Sequence, residues 1–183
     1  QKGFTELVEC TQVPVVTTVM GRGAIPTNHP LYIGNLGMHG AYASNMSVNE
    51  CDLLFSIGTR FNDRITGKLH SFAPKAQIVH IDIDTAAISK NVQVDVPIVA
   101  DAKEAIDKML EYVTECDTEK WRAQVETWKE EHPMKMKRKP IMTPQDVIDT
   151  INKVFDAAII VTDVGQHQMF TAKFIEITHK KQL

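Results

Sequence analysis

The strongest constraint in this sequence is a repeated punctuation: a short apolar, often β-branched run, then a glycine or an acid, then a stretch with helical spacing. Residues 13–18 (Val-Pro-Val-Val-Thr-Thr), 53–57 (Leu-Leu-Phe-Ser-Ile), 78–83 (Ile-Val-His-Ile-Asp-Ile) and 97–100 (Pro-Ile-Val-Ala) each read as a buried strand. Between them the pattern predicts helices over 40–49, 85–90 and 102–113. In the last, Ala105, Ile106, Met109, Leu110 and Val113 form one apolar stripe. Near-continuous apolar strands that alternate with helices bury both faces only in a parallel sheet covered on each side. The fold class is therefore α/β, a parallel sheet flanked by helices.

Phe4, Leu7 and Val8 already have helical spacing, so a helix is expected from the first residues. Residues 119–132 predict a charged helix in which Trp121, Val125 and Trp128 share one face. The stretch from His132 to Pro140 reads as a linker, its basic residues 135–139 a solvated connector rather than a nucleic-acid patch. Order restarts at Thr143-Pro-Gln-Asp146, with a Thr N-cap and Pro at the first helical position. A strand over 158–162, a turn through Asp163-Val-Gly165 and a helix to about residue 180 complete the expectation. This divides the chain into a central α/β domain (1–113), a helix and linker (114–140) and the opening of a second α/β domain (141–183). The absence of an initiator Met and the abrupt C-terminus are those of a piece of a longer polypeptide.

Composition narrows the function classes. Twenty basic against 23 acidic residues leave a net charge of −3, which offers nucleic acid and anionic lipid no electrostatic purchase. No apolar run reaches the length of a membrane span. Cys10, Cys51 and Cys116 are odd in number and far apart, a pattern of free thiols in a reducing, cytoplasm-like compartment. The seven histidines show no metal-ligand spacing, so no metal site is expected within these residues.

Chemistry gathers where parallel strands end, because helix N-termini and loop amides converge there. The relevant segments are Thr17-Thr-Val-Met-Gly-Arg-Gly23, Gly58-Thr-Arg-Phe-Asn-Asp-Arg64 and Asp82-Ile-Asp84. Glycine lets backbone approach a ligand, arginine pairs phosphate oxygens bidentately, and an acid at a strand end accepts from ribose hydroxyls. Leu36-Gly-Met-His-Gly40 lets the chain hug something flat, and Val164-Gly-Gln-His-Gln-Met169 offers a diphosphate seat at a helix start. Each has a plain alternative: a salt-bridged loop of Arg60, Asp63 and Arg64, a helix-entry loop around Met38, and a helix-capping His167.

Taken in order, these motifs resemble the catalytic (large) subunit of acetohydroxyacid synthase, also called acetolactate synthase, a thiamine-diphosphate-dependent enzyme. The resemblance runs the length of the chain and is most specific at Met38-His-Gly40 and Arg60-Phe-Asn-Asp-Arg64. It implies a Rossmann-like central domain that holds FAD in extended form, in an enzyme that decarboxylates pyruvate and joins the remainder to a second 2-ketoacid, giving 2-acetolactate in branched-chain amino-acid biosynthesis. It also implies thiamine diphosphate and magnesium, a homodimer of catalytic subunits, a regulatory subunit and a cytoplasmic setting. By motif position, Thr18, Val19 and Met20 line the flavin. Leu36, Gly37, Met38 and His39, with Gly58, Thr59, Arg60, Asp63 and Arg64, follow the cofactor. Asp82, Ile83, Asp101 and Ala102 lie towards its adenosine end. Met38 and Arg64 also match the channel where the second ketoacid enters. Val164, Gly165, Gln166 and His167 match the loop that contacts the thiamine diphosphate phosphates.

Two residues depart from that family's pattern: Asn62 stands where Asp is usual, and Phe170 where Trp is usual. The family's activating glutamate, its first FAD-contacting glycine loop and its magnesium-binding Gly-Asp-Gly…Asn motif are not among the 183 residues. No catalytic residue is therefore expected here, and the chain alone should be catalytically silent, possessing no assured cofactor. The same motifs also suit a fragment of glyoxylate carboligase, of an acetoin-forming synthase or of another enzyme of this cofactor class. A non-catalytic nucleotide-binding module is the remaining alternative.

Overall fold

The computed structural model describes residues 1–137, 140–155 and 158–178. The chain opens with α1 (Lys2–Thr11), stopped at Gln12, whose left-handed backbone (φ 58°) lets its N–H close on the Val8 carbonyl. Then follow β1 (Val15–Thr17), β2 (Tyr32–Asn35), α2 (Tyr42–Glu50), β3 (Leu53–Ile57) and a one-turn α3 (Asp63–Thr66). The rest comprises β4 (Gln77–Asp82), β5 (Val96–Val99), α4 (Ala102–Met109), α5 (Glu119–Glu131), α6 (Pro144–Val154) and α7 (Gln166–Phe174).

Every strand pair among the described residues is parallel. β1 pairs with β2, and β3, β4 and β5 lie in that order, with Ile57 opposite Ile81 and Ile81 opposite Ile98. Parallel strands need crossovers. The turns of 18–31 join β1 to β2, the stretch holding α3 joins β3 to β4, and the turns of 83–95 join β4 to β5, while α2 carries the chain from one sheet to the other. The core is built in patches. Val8, Ile25 and Leu31 close α1 over β1 and β2, while Leu36, Val48 and Ala73 fill the space between α2 and the second sheet. Phe61, Ile78 and Val94 lie under the turns that follow β4. Ile148, Ile175 and Ile177 form the centre of the C-terminal unit.

Several expectations hold in detail. Trp121 and Trp128 meet edge to face, 5.6 Å between centroids, with Val125 buried between helices. Thr143 and Asp146 form a reciprocal capping box with Pro144 at the first helical position. Others are corrected. Residues 85–90 are turns rather than a helix, because the Asp84 carboxylate accepts from the Ala86 amide and Ser89 adopts φ 56°. Strand β2 went unpredicted, since Gly34 and Asn35 have poor strand propensity. Helix α4 ends at Met109, before the 113 expected.

The 158–162 run is no strand: Ile159 and Val161 are exposed, and among the described residues no neighbouring strand pairs with it. Helix α7 stops at Phe174, and Ile175 turns extended so that Ile177 can bond to Thr27. Residues 175–178 are thus not helical, while residues 179–180 of the expected helix, and Arg138 and Lys139 of the basic run, lie outside the described residues.

Candidate functional site at the carboxyl edge of the sheets

Backbone hydrogen bonds bring three of the predicted segments to one edge. The Gly58 amide donates to the Ile81 carbonyl (2.8 Å), and the Ala100 amide donates to the Asp82 carbonyl (3.2 Å). Gly58-Thr59-Arg60, Asp82-Ile83 and Asp101-Ala102 therefore follow one another across the ends of β3, β4 and β5. Gly58 has φ 64°, and the position a Cβ would take has no atom within 4 Å. That open, bare backbone is where a flat or phosphorylated ligand can approach closely. Asp82 accepts the Asp84 amide through Oδ1, and Ile83 is exposed. Asp101 has a structural duty as well: its Oδ1 accepts from the Lys103 and Glu104 amides and caps α4.

The β1–β2 end supplies the other half. The Leu36 amide donates to the Thr17 carbonyl (2.8 Å), the Thr18 hydroxyl accepts from the Gly21 amide, and Met20 is 92% exposed. The two halves are stitched at Met38, whose amide donates to the Arg64 carbonyl (2.9 Å). The Arg64 Nη1 also lies 3.9 Å from the Met38 sulfur. The two residues expected to share a channel are thus in contact. Among the described residues no ion pair joins Arg60, Asp63 and Arg64, so the salt-bridged loop does not form and both guanidinium groups are exposed. An open groove of about 440 Å³ runs past Leu36, Gly37, Met38, Asp63 and Arg64. Asn45, Met46 and Phe72 line it too, and no sequence pattern marked them.

The fourth predicted segment lies elsewhere: none of Val164, Gly165, Gln166 and His167 lines that groove. Gly165 precedes α7 with no side-chain cap on the helix amides, so His167 does not act as the cap. A Cβ on Gly165 would stand 2.9 Å from the His167 ring, so the imidazole occupies the space that glycine leaves. The far end of α7 is bound to the first sheet, where Asn35 donates to the Ala172 carbonyl and Arg22 to the Ile175 carbonyl. Arg22 also faces the Tyr32 hydroxyl and Asn35 Oδ1, and burial lowers its affinity for its proton. Among the described residues, no group of three histidines, cysteines or acids is placed to hold a metal ion. No helix among them is long and apolar enough to cross a membrane. The three cysteines are free, and burial beside Asp52 pushes the Cys51 thiol up to about 11, in keeping with a packed, unreactive side chain.

His80, fully buried on β4 beneath this edge, is a second feature the pattern did not reveal. Its ring stands edge-on to Phe61 at 5.1 Å, and Nε2 lies 3.7 Å from Asp82 Oδ2. Desolvation outweighs the pull of Asp82 and holds its pKa below the ordinary histidine value. The fold thus favours neutral imidazole, whereas the unfolded chain takes up a proton as pH falls through about 6.5. Stability should be intact above that pH and decline below it. Melting temperatures measured from pH 7.5 to 5.5 should fall more for the parent than for His80→Leu, and parallel profiles would refute the burial argument.

Residues 1–109 match the family model described as "Thiamine pyrophosphate enzyme, central domain". The acetolactate synthase large subunit of Cyanidium caldarium is 41% identical, over all of this chain and 33% of its own length. That of Parasynechococcus marenigrum is 42% identical over 92% of the chain and 28% of its own length. A probable acetolactate synthase large subunit of Methanocaldococcus jannaschii is 42% identical over 93% of the chain and 31% of its own length. The chain spans about a third of the length of these relatives.

Proposed function

The chain belongs to the thiamine pyrophosphate enzymes through their central domain, and from that premise we propose that it is the FAD-holding part of an acetolactate synthase catalytic subunit. Residues 141–183 would begin the thiamine-diphosphate domain. The observation that carries this reading is that the 58–60, 82–83 and 101–102 segments follow one another across the ends of β3, β4 and β5, and that the Met38–Arg64 contact ties the 36–39 loop after β2 to them. Relatives 41–42% identical across nearly the whole chain support it and do not favour the glyoxylate carboligase or binding-module alternatives.

The residues present suit an extended dinucleotide. The empty space above Gly58 would admit a pyrophosphate against backbone, Arg60 and Arg64 are exposed cations on the loop and helix that follow, and Asp82 would accept from a ribose hydroxyl. Thr18, Val19, Met20 and the 36–39 loop would follow the flavin. Gly165, Gln166 and His167, at an uncapped helix start, would take a diphosphate. When bound, thiamine diphosphate supplies the electron sink for decarboxylation, and FAD serves a largely structural role. Arg64 would hold the carboxylate of the second 2-ketoacid through its two-pronged guanidinium, with Met38 as the apolar wall. The described residues offer magnesium no ligand set, so no step is assigned to it here. Pyruvate as substrate, a homodimer, a regulatory subunit and a cytoplasmic setting belong to the same proposal.

Ligand linkage tests it. A ligand at 100 times its Kd adds about 2.7 kcal/mol to stability, which corresponds to a rise of roughly 5–10 °C in melting temperature for a chain of this size. The 183-residue chain should show a rise with FAD and a smaller one with ADP. Gly58→Ala should abolish both, because its new methyl fills the open space, while costing about 1 kcal/mol of intrinsic stability for the strained φ. Identical melting curves with and without saturating FAD would count against the assignment.

A further inference from the structure

We infer that Asn45 is a positioning residue for the proposed ketoacid channel, its carboxamide gripping both backbone groups of Gly37 and thereby fixing Met38 against Arg64. This rests on the channel reading given above. Asn45 Oδ1 accepts from the Gly37 amide at 2.9 Å, and its Nδ2 donates to the Gly37 carbonyl at 3.1 Å. The same carbonyl also accepts from the Gly40 amide (2.8 Å), so two donors engage it. Gly37 has φ 103°, a conformation open to glycine but weakly enforced by it, since glycine has the most backbone freedom to lose. Two bonds to one side chain remove that freedom. The next amide, that of Met38, is then aimed at the Arg64 carbonyl 2.9 Å away, and the Met38 sulfur comes to 3.9 Å from the guanidinium. The side chain that does this extends from the first turns of α2, whose Ala41 amide is itself bonded to the Asn35 carbonyl (2.9 Å). A rigid helix thus sets the loop from outside it.

Glu50, at the end of α2 and outside the groove, pairs with Lys75 and serves as the control. The experiment uses the ¹⁵N-labelled 183-residue chain, with pyruvate as the probe. Asn45→Ala should speed amide exchange at Gly37 and Met38 by about tenfold, in line with the loss of two ordinary hydrogen bonds. Glu50→Ala should leave both amides at parental rates. Asn45→Asp keeps the acceptor for the Gly37 amide, so protection there should return. Pyruvate should shift the Met38 methyl resonance in the parent and in Glu50→Ala, with affinity weakened about tenfold in Asn45→Ala. Parental exchange at both amides in Asn45→Ala overturns the inference, whether or not pyruvate binds. A parent that shows the exchange effect yet no pyruvate response overturns the channel reading and leaves the grip of Asn45 on Gly37 standing.

Discussion

Gly37→Ala should be among the most damaging single-methyl changes available in this chain. The added Cβ would stand 2.4 Å from the Arg64 carbonyl oxygen and 3.2 Å from the Ile65 side chain. The first contact is with backbone, which cannot rotate aside, and φ 103° is strained for any residue with a Cβ. Overpacking and backbone strain each cost about 1–3 kcal/mol, so a loss of about 2–6 kcal/mol is expected. Urea unfolding should show the midpoint falling accordingly, at an unchanged m-value. Relief of the clash requires the 36–38 loop to leave α3, so the Met38–Arg64 contact should be lost with it. A midpoint equal to that of the parent would mean the loop has another seat.

Ile177→Ala is expected to cost about 2–5 kcal/mol, the usual range for emptying a fully buried aliphatic site. The side chain has no exposed surface and packs with Ile148 and Ile175. Its backbone is equally committed: the Thr27 amide donates to its carbonyl, and its own amide donates to the Thr27 hydroxyl, both at 2.8 Å. Loss should therefore register 150 residues away, as faster exchange of the Thr27 amide. Val161→Ala, at an 87% exposed position in the same unit, should change stability by no more than about 0.5 kcal/mol. Equal effects of the two variants would show that the C-terminal segment does not dock on the first sheet.

Much of the candidate site was legible because its signals are local. A strand end, a glycine and an arginine or acid lie within a few residues of one another, and parallel topology lines such ends up without further information. The Gly58–Arg64 and Asp82–Ile83 segments fell into place for that reason. Illegible features depend on partners distant in sequence or on competition between local options. Asn45 looks like any polar helix residue until its loop folds back over it. The 85–90 stretch has helical composition, yet Asp84 offers its amides a nearer acceptor. Asp101, which the resemblance puts towards the adenosine end of the cofactor, caps α4 in the structure, a duty no local pattern had marked.

The sequence by itself determined the class of fold, the parallel sense of the strands, the order of the motifs and the family, because periodicity and turn chemistry act over three or four residues. Only the tertiary structure decided which of those motifs touch. Met38 meets Arg64 across 26 positions, and Arg22 and Asn35 reach the 172–175 carbonyls across about 140–150. It also decided that His80 is sealed away from water and that 158–162 pairs with no strand among the described residues. Such contacts follow from how layers pack and which polar groups burial leaves to find one another, and neither quantity is written in a local window of residues.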